Sequence, residues 1–289
     1  MKKLIIILGV VGVSISAPLI RVSSAPSMVL VLYRVLMAAL LLGPVIALKN
    51  RVELRRIRRG DLALCLVSGL FLGLHFSCYF EALRFTSIAS AVALVDTEVF
   101  FVAFMLLILF KERIPWLAWI GIIITFVGSV LIAWADAGDG SNMLLGDLIA
   151  LTGALCMAVY TIIGKTVRQR ITTTTYTFLV YLSAGITVLV ILLCSGKPLI
   201  GYEPVNWWTA LGMAVFCTLL GHSVFSWGLK YESAAFIATA KLLEPVFASL
   251  LSLLLFREMP KAAVIIGGCI VVAGLILTTG CISGRKKIQ

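Results

Sequence analysis

Ten apolar runs, each bounded by charged or turn-forming residues, divide the chain at 4–20, 27–48, 62–83, 87–109, 115–135, 146–164, 173–194, 206–229, 233–255 and 261–282. A helix of roughly 20 apolar residues crosses the hydrocarbon core of a bilayer. The runs have about that length, and the segments between them are too short for a separate soluble domain. The pattern therefore predicts an all-α membrane protein with ten transmembrane helices. The faintest boundary lies between the eighth and ninth runs, where only Lys230-Tyr231-Glu232 interrupts. The first run imitates a secretory leader, with Lys2 and Lys3 ahead of it and small residues behind. Pro18 follows Ala17 and Pro26 follows Ala25, both poor cleavage contexts, so a retained first helix is expected.

Composition agrees. Hydrophobic residues make up 61% of the 289, only 13% are charged, and the mean hydropathy is +1.12. A soluble domain carries about twice that share of charge. The net charge of +11 would raise nucleic acid as a partner for a soluble chain, but here the basic residues sit in loops and tails, where they report membrane topology. With the N-terminus inside, Lys2, Lys3, Lys49, Arg51, Arg55, Arg56, Arg58, Arg59, Lys111, Arg113, Lys165, Arg168, Arg170, Lys230, Arg285, Lys286 and Lys287 fall on the cytoplasmic side. Only Arg21, Arg84, Lys197, Arg257 and Lys261 fall outside, a ratio of seventeen to five. Both termini are then cytoplasmic and the number of spans is even. Tyr202, Trp207 and Trp208 suit an interfacial belt at the outer edge of the eighth span. The expected location is the inner, cytoplasmic membrane of the cell. The seven cysteines show no C-x-x-C spacing, and Cys65, Cys78, Cys156, Cys217 and Cys269, inside apolar runs, read as small buried hydrophobes.

The chain repeats itself. Shifted by 146 residues, Leu83 meets Leu229, Arg84 meets Lys230, Ser87 meets Ser233, Glu98 meets Glu244 and Phe101 meets Phe247. Phe110-Lys111-Glu112 then meets Phe256-Arg257-Glu258, Gly121 meets Gly267, and Gly128 meets Gly274. Glutamates in register inside apolar sequence are the strongest of these matches. The halves divide as 1–138 and 144–282, with a basic tail at 283–289. Each half holds five spans, an odd number, so the second half enters the membrane upside down. Inverted repeats of this kind place a substrate site near the midplane of many secondary transporters.

The segment Gly221-His222-Ser223-Val224-Phe225-Ser226-Trp227-Gly228, with Leu243-Glu244-Pro245-Val246-Phe247 and Leu255-Phe256-Arg257-Glu258, resembles the second half of EamA-type transporters of the drug/metabolite transporter superfamily. Tyr33-Arg34, Phe110-Lys111-Glu112-Arg113 and Gly121 to Gly128 fit the first half. The resemblance implies two inverted five-helix repeats and a transport function. Glu112 and Glu258 belong to the shared structural motif. One departure is Val99, which stands where the second repeat has Pro245, so the fourth span is expected to be less kinked than the ninth.

Few ionisable groups lie at membrane depth, where each costs roughly 2.5–3.5 kcal/mol on insertion scales and marks a cavity or a partner. They are Arg34, His75, Asp96, Glu98, His222, Lys241 and Glu244. Lys241 and Glu244 are three apart and can pair along one helix face. Asp96 and Glu98 point about 200° apart on a regular helix and cannot share a small site unless the helix is irregular. Asp96 is left as a partner for Arg34 or Lys241. Pro245, next to Glu244, removes a backbone donor and leaves a carbonyl one turn back unbonded. Pro18 and Gly164 are expected to bend spans one and six. Tyr79 and Trp227 are aromatic candidates for the cavity wall. The histidines suit interior hydrogen bonding or a proton relay, and two in different repeats do not indicate a metal. For the charges, two roles stay open: locking helices in register, or handling substrate and proton.

The expected function is alternating-access secondary transport of small organic metabolites such as amino acids, outward by family analogy, with a proton or ion gradient as the energy source. No G-x-x-x-x-G-K-[ST] loop is present, so nucleotide coupling and cofactors are not expected. An intramembrane lipid-modifying enzyme lacks its nucleophile–base set here, and a channel lacks pore-lining repeats. The partners are the bilayer and a small-molecule substrate, as a monomer or homodimer. Inversion makes a direct prediction: single cysteines at Lys111 and Arg257 should react with an impermeant maleimide from opposite sides of the membrane, and labelling from one side would refute it.

Overall fold

The computed structural model describes residues 1–86, 88–135, 142–257 and 259–285. Ser87, Glu258, Lys286 and Lys287 lie outside the described residues. Among the described residues, ten helices are long and apolar enough to cross a membrane: α1 (Lys2–Val22), α2 (Ser27–Arg56), α3 (Arg59–Ala82), α4 (Ser90–Phe110), α5 (Trp116–Trp134), α6 (Met143–Val167), α7 (Thr173–Cys194), α8 (Pro204–Gly228), α9 (Ala234–Phe256) and α10 (Ala262–Cys281). No strand occurs among the described residues. In lipid no water satisfies the backbone, so each segment satisfies its own hydrogen bonds as a helix.

The halves interlock. Helix α3 packs on α6 and α7 of the second half, and its mate α8 packs on α1 and α2 of the first. Helices α5 and α10 cross most closely of all. Gly121 faces Gly274 and Gly128 faces Gly267. Because Gly121 and Gly128 are the sequence mates of Gly267 and Gly274, each contact joins one glycine to the mate of the other, as a pseudo-two-fold axis requires. A Cβ at Gly128 would stand 2.7 Å from the Gly267 carbonyl oxygen. The small residues therefore let two backbones touch, which is the main source of helix association where lipid tails remove the hydrophobic drive.

The helices are broken at matching places. Helix α4 stops at Asp96 and resumes as Glu98–Phe110. Helix α9 stops at Lys241 and resumes as Glu244–Phe256. Glu98 and Glu244, sequence mates, each begin the second piece. Both second pieces end on a left-handed residue, Lys111 with φ 54° and Arg257 with φ 58°, again mates, and an uncommon conformation for side chains with a Cβ. The fourth span, expected to be the less kinked, is interrupted at one residue, Thr97, and the ninth at two, Leu242 and Leu243. Val99 supplies no proline, and at the break the Thr97 hydroxyl donates to the Leu94 carbonyl. Helix α1 is also interrupted, at Ile15, where Pro18 cannot donate to Ser14. Helix α6 runs through Gly164 without a break. Gly164 instead makes room for Leu229 and the Tyr176 hydroxyl. Helix α8 is wound one residue wide over Met213–His222, a geometry common at functional sites. The helix containing α10 continues to Arg285, into the expected tail.

Replacing Gly128 with alanine should lower stability by about 1–3 kcal/mol through overpacking. Gly43→Ala, which meets open space, should be neutral or better. Thermal unfolding in detergent checks both.

Candidate functional site

A cavity of about 700 Å³ lies between the halves. Its deep end sits at the two helix breaks, where Asp96, Glu98, Lys241, Glu244 and Pro245 line it. The break at Thr97 lets both Asp96 and Glu98 face this space, which a continuous helix would forbid. Helix α2 contributes Arg34, α3 contributes His75, Phe76 and Tyr79, and α8 contributes His222 and Phe225. The walls then run past Arg21 and Ser27 to Met259, Pro260 and Lys261. Met259 is 81% exposed, so the cavity opens at the face opposite the N-terminus.

At the deep end the Lys241 ammonium donates to both Glu98 oxygens, at 3.0 and 3.3 Å. Thr161 Oγ1 donates to the same carboxylate at 3.0 Å, and the Phe225 ring lies 5.6 Å below the ammonium. Lys241 belongs to the second half and Glu98 to the first, so the pair ties the halves together. The expected Lys241–Glu244 pair along one helix is thereby corrected: the break between Lys241 and Glu244 removes the regular spacing that would bring them together. Asp96 pairs with neither Arg34 nor Lys241. It accepts from Ser129 of α5.

Behind this pair the protein is closed. The Tyr160 hydroxyl lies 3.0 Å from Ser226 Oγ. Arg168 donates through Nε to the Ser226 carbonyl at 3.0 Å and through Nη2 to Thr173 at 2.6 Å. Arg168 was counted above as a loop cation, yet it is 2% exposed and plugs this end. Glu112 pairs with Lys165, which joins the α4–α5 corner to α6. Its mate Glu258 lies outside the described residues. The basic C-terminal end of α2 is tied down as well. Glu53 accepts from Asn50 and from the Thr172 backbone at 3.1 and 2.8 Å.

Of the ten sequence candidates for the pathway, nine line the cavity. Trp227 does not: its ring packs 4.8 Å from Tyr231, near the terminal face, where Lys2 lies over the same tyrosine at 4.2 Å. His75 donates through Nδ1–H to the Gly153 carbonyl, 3.0 Å away. His222 packs edge-on against Phe76 and Phe225, 5.6 and 6.1 Å between centroids. The two histidines are not sequence mates, yet they meet at one cavity. Ser14 Oγ donates to the Glu244 carbonyl at 3.1 Å and anchors the second piece of α9. Sequence reasoning missed Ser14, Ser129, Thr161 and Arg168. The first three are single hydroxyls in apolar runs, which hydropathy treats as neutral.

A multi-pass membrane protein with a charged cavity between like halves, closed at one end, has the construction of a transporter. The chain belongs to the EamA-like transporter family, whose sequence profile matches residues 2–134 and 144–280. Members are transporters and not enzymes. An uncharacterised transporter of Clostridium kluyveri is 25% identical over 268 residues, covering 88% of this chain and 85% of its own. The transporter YxxF of Bacillus subtilis is 24% identical over 92% of this chain and 85% of its own. The pseudopaline exporter CntI of Pseudomonas aeruginosa is 24% identical over 76% of each chain. A solved crystal structure superposes with a TM-score of 0.82 at 17% identity over 98% of each chain, a likeness of fold.

Because removing one partner of a buried pair strands the other charge, Lys241→Met should cost about 3–5 kcal/mol. Adding Glu98→Gln should recover part of that loss. A double-mutant cycle on thermal unfolding measures it, and strictly additive losses would show that the two groups do not depend on each other.

Proposed function

We propose that the chain is an alternating-access secondary carrier for small organic metabolites, amino acids among them, that works as an exporter in the cytoplasmic membrane. The observation behind this reading is a mixed-charge cavity set at the breaks of two mated helices, open toward one face and sealed behind the Glu98–Lys241 pair. A binding space reached from one side at a time is what alternating access requires. The moving units are the halves 1–138 and 144–282, and closure of the open face would accompany loss of the Glu98–Lys241 pair. Both termini lie in the cytoplasm on this reading, following the distribution of lysine and arginine, so the cavity faces outward. The name of the Pseudomonas aeruginosa relative supports the outward direction of transport.

Proton coupling fits the carboxylates that face the cavity. Asp96 is held by Ser129 and Glu98 by Lys241. Glu244 has no ion pair or side-chain hydrogen bond among the described residues and is the group best placed to exchange a proton. Purified protein in liposomes should show saturable counterflow of a labelled amino acid. With Glu244→Gln, whatever counterflow remains should have lost its dependence on external pH. An unchanged pH profile would assign the proton elsewhere, and lipid turnover without solute flux would refute the carrier.

A further inference from the structure

Three buried side-chain nitrogens among the described residues lack a hydrogen-bond partner: Nε and Nη2 of Arg34 and Nδ1 of His222. They are gathered in one place. Both residues line the cavity, and both pack against the Phe76 ring, the Arg34 guanidinium at 4.5 Å and the His222 ring at 5.6 Å. Arg34 is 4% exposed and His222 5%. The aromatic face offsets part of the guanidinium's charge but offers its N–H groups no acceptor oxygen. A desolvated donor left without a partner costs about 1–3 kcal/mol, and more when charged. A cluster of three at a cavity wall points to an acceptor that arrives from outside.

The chemistry of that acceptor follows from the atoms. Nε and Nη2 form one edge of the guanidinium, with two parallel donors spaced for the two oxygens of a single carboxylate. His222 adds a third donor in its Nδ1–H tautomer. The protein's own cavity carboxylates do not fill the seat. Glu98 is held by Lys241 and Thr161, and Asp96 by Ser129. Glu244 lines the same cavity but makes no ion pair with Arg34, and the start of its helix is anchored through Ser14. The cavity thus presents an unpaired cation and an unpaired anion that the fold keeps apart.

We infer that Arg34 and His222 seat the carboxylate of a small zwitterion while Glu244 takes its ammonium group, so that an α-amino acid or close relative binds in one orientation. This deepens the carrier reading and rests on it. The edge is covered in this conformation, and Phe76 is the side chain placed to turn aside as the carboxylate enters.

The test uses the full-length protein in detergent, with thermal shift and calorimetric titration. The probes are the standard L-amino acids, their methyl esters, their N-acetyl derivatives and phosphoethanolamine. At least one amino acid should bind, and both its ester and its N-acetyl form should bind at least about 100-fold more weakly, the worth of two charged hydrogen bonds. Arg34→Gln should bind acid and ester alike. Should that variant fail to fold, the ester comparison on the unaltered chain decides. Equal binding of acid and ester overturns the inference, as does preference for phosphoethanolamine, which would make the seat one for phosphate. Counterflow of a neutral or purely cationic solute, with no amino acid bound, refutes this inference and leaves the carrier standing. Absence of counterflow for any solute sinks both.

Discussion

A charge at the centre of a bilayer is tolerated when another charge meets it, and the organisation of this protein follows from that requirement. Lys241 and Glu98 are 12% and 9% exposed at their side chains. Neither would be stable there alone. Their partnership crosses from one half of the molecule to the other, so the pair holds only while the halves sit as they do. Thr161 supports it from α6. An interaction of this kind is a latch: strong when closed, and costly to open without something to replace it.

The helix breaks make the latch accessible. A continuous α4 would turn Asp96 and Glu98 to opposite sides, and a continuous α9 would pair Lys241 with Glu244 on its own face. Interrupting both helices at mated positions brings all four groups to one cavity. The two breaks are produced differently. Pro245 enforces the one in α9, while α4 is interrupted at Thr97 with Val99, not proline, at the matching place. Equivalent geometry from different residues indicates that the break, more than the proline, is what both halves need. The glycine crossing of α5 and α10 lies on the same pseudo-axis and gives the halves a shared backbone contact.

Much of this was legible in the chain itself. The ten spans could be read because crossing a bilayer demands length and apolarity, and both are local properties. The halves could be read because glutamate is rare at depth, so Glu98 and Glu244 in register stand out. Nine of the ten candidates for the pathway line the cavity for the same reason. What escaped depends on three dimensions. The partner of Lys241 lies 143 positions away, and periodicity along one helix pointed to Glu244 instead. Arg168 was read as a loop cation because its position just beyond a span looks exposed, whereas the fold tucks it under Ser226. Ser129 and Thr161 carried no signal, since hydroxyls are common in membrane helices that bond only to themselves. Trp227 looked like a wall of the cavity from its neighbours in sequence, yet it lies nearer the terminal face.

The fold is nearly symmetric, but the charges are not. Glu98 and Glu244 are mates, as are the left-handed caps at Lys111 and Arg257 and the paired glycines. The cations break the rule: Lys241 corresponds to Val95, and Arg34 corresponds to Val180. Asp96 corresponds to Leu242, and His222 to Phe76. On the alternating-access reading proposed above, a backbone built from two like halves exchanges their conformations at little cost, because each arrangement resembles the other turned over. The side chains distinguish the two arrangements. With Lys241 on one side only, the latch beside Glu98 has no equivalent beside Glu244, whose surroundings offer Arg34 from a different helix. Any difference between the two faces in affinity, or in the ease of opening, must therefore arise from these few unmatched residues, and they are the same residues that line the cavity.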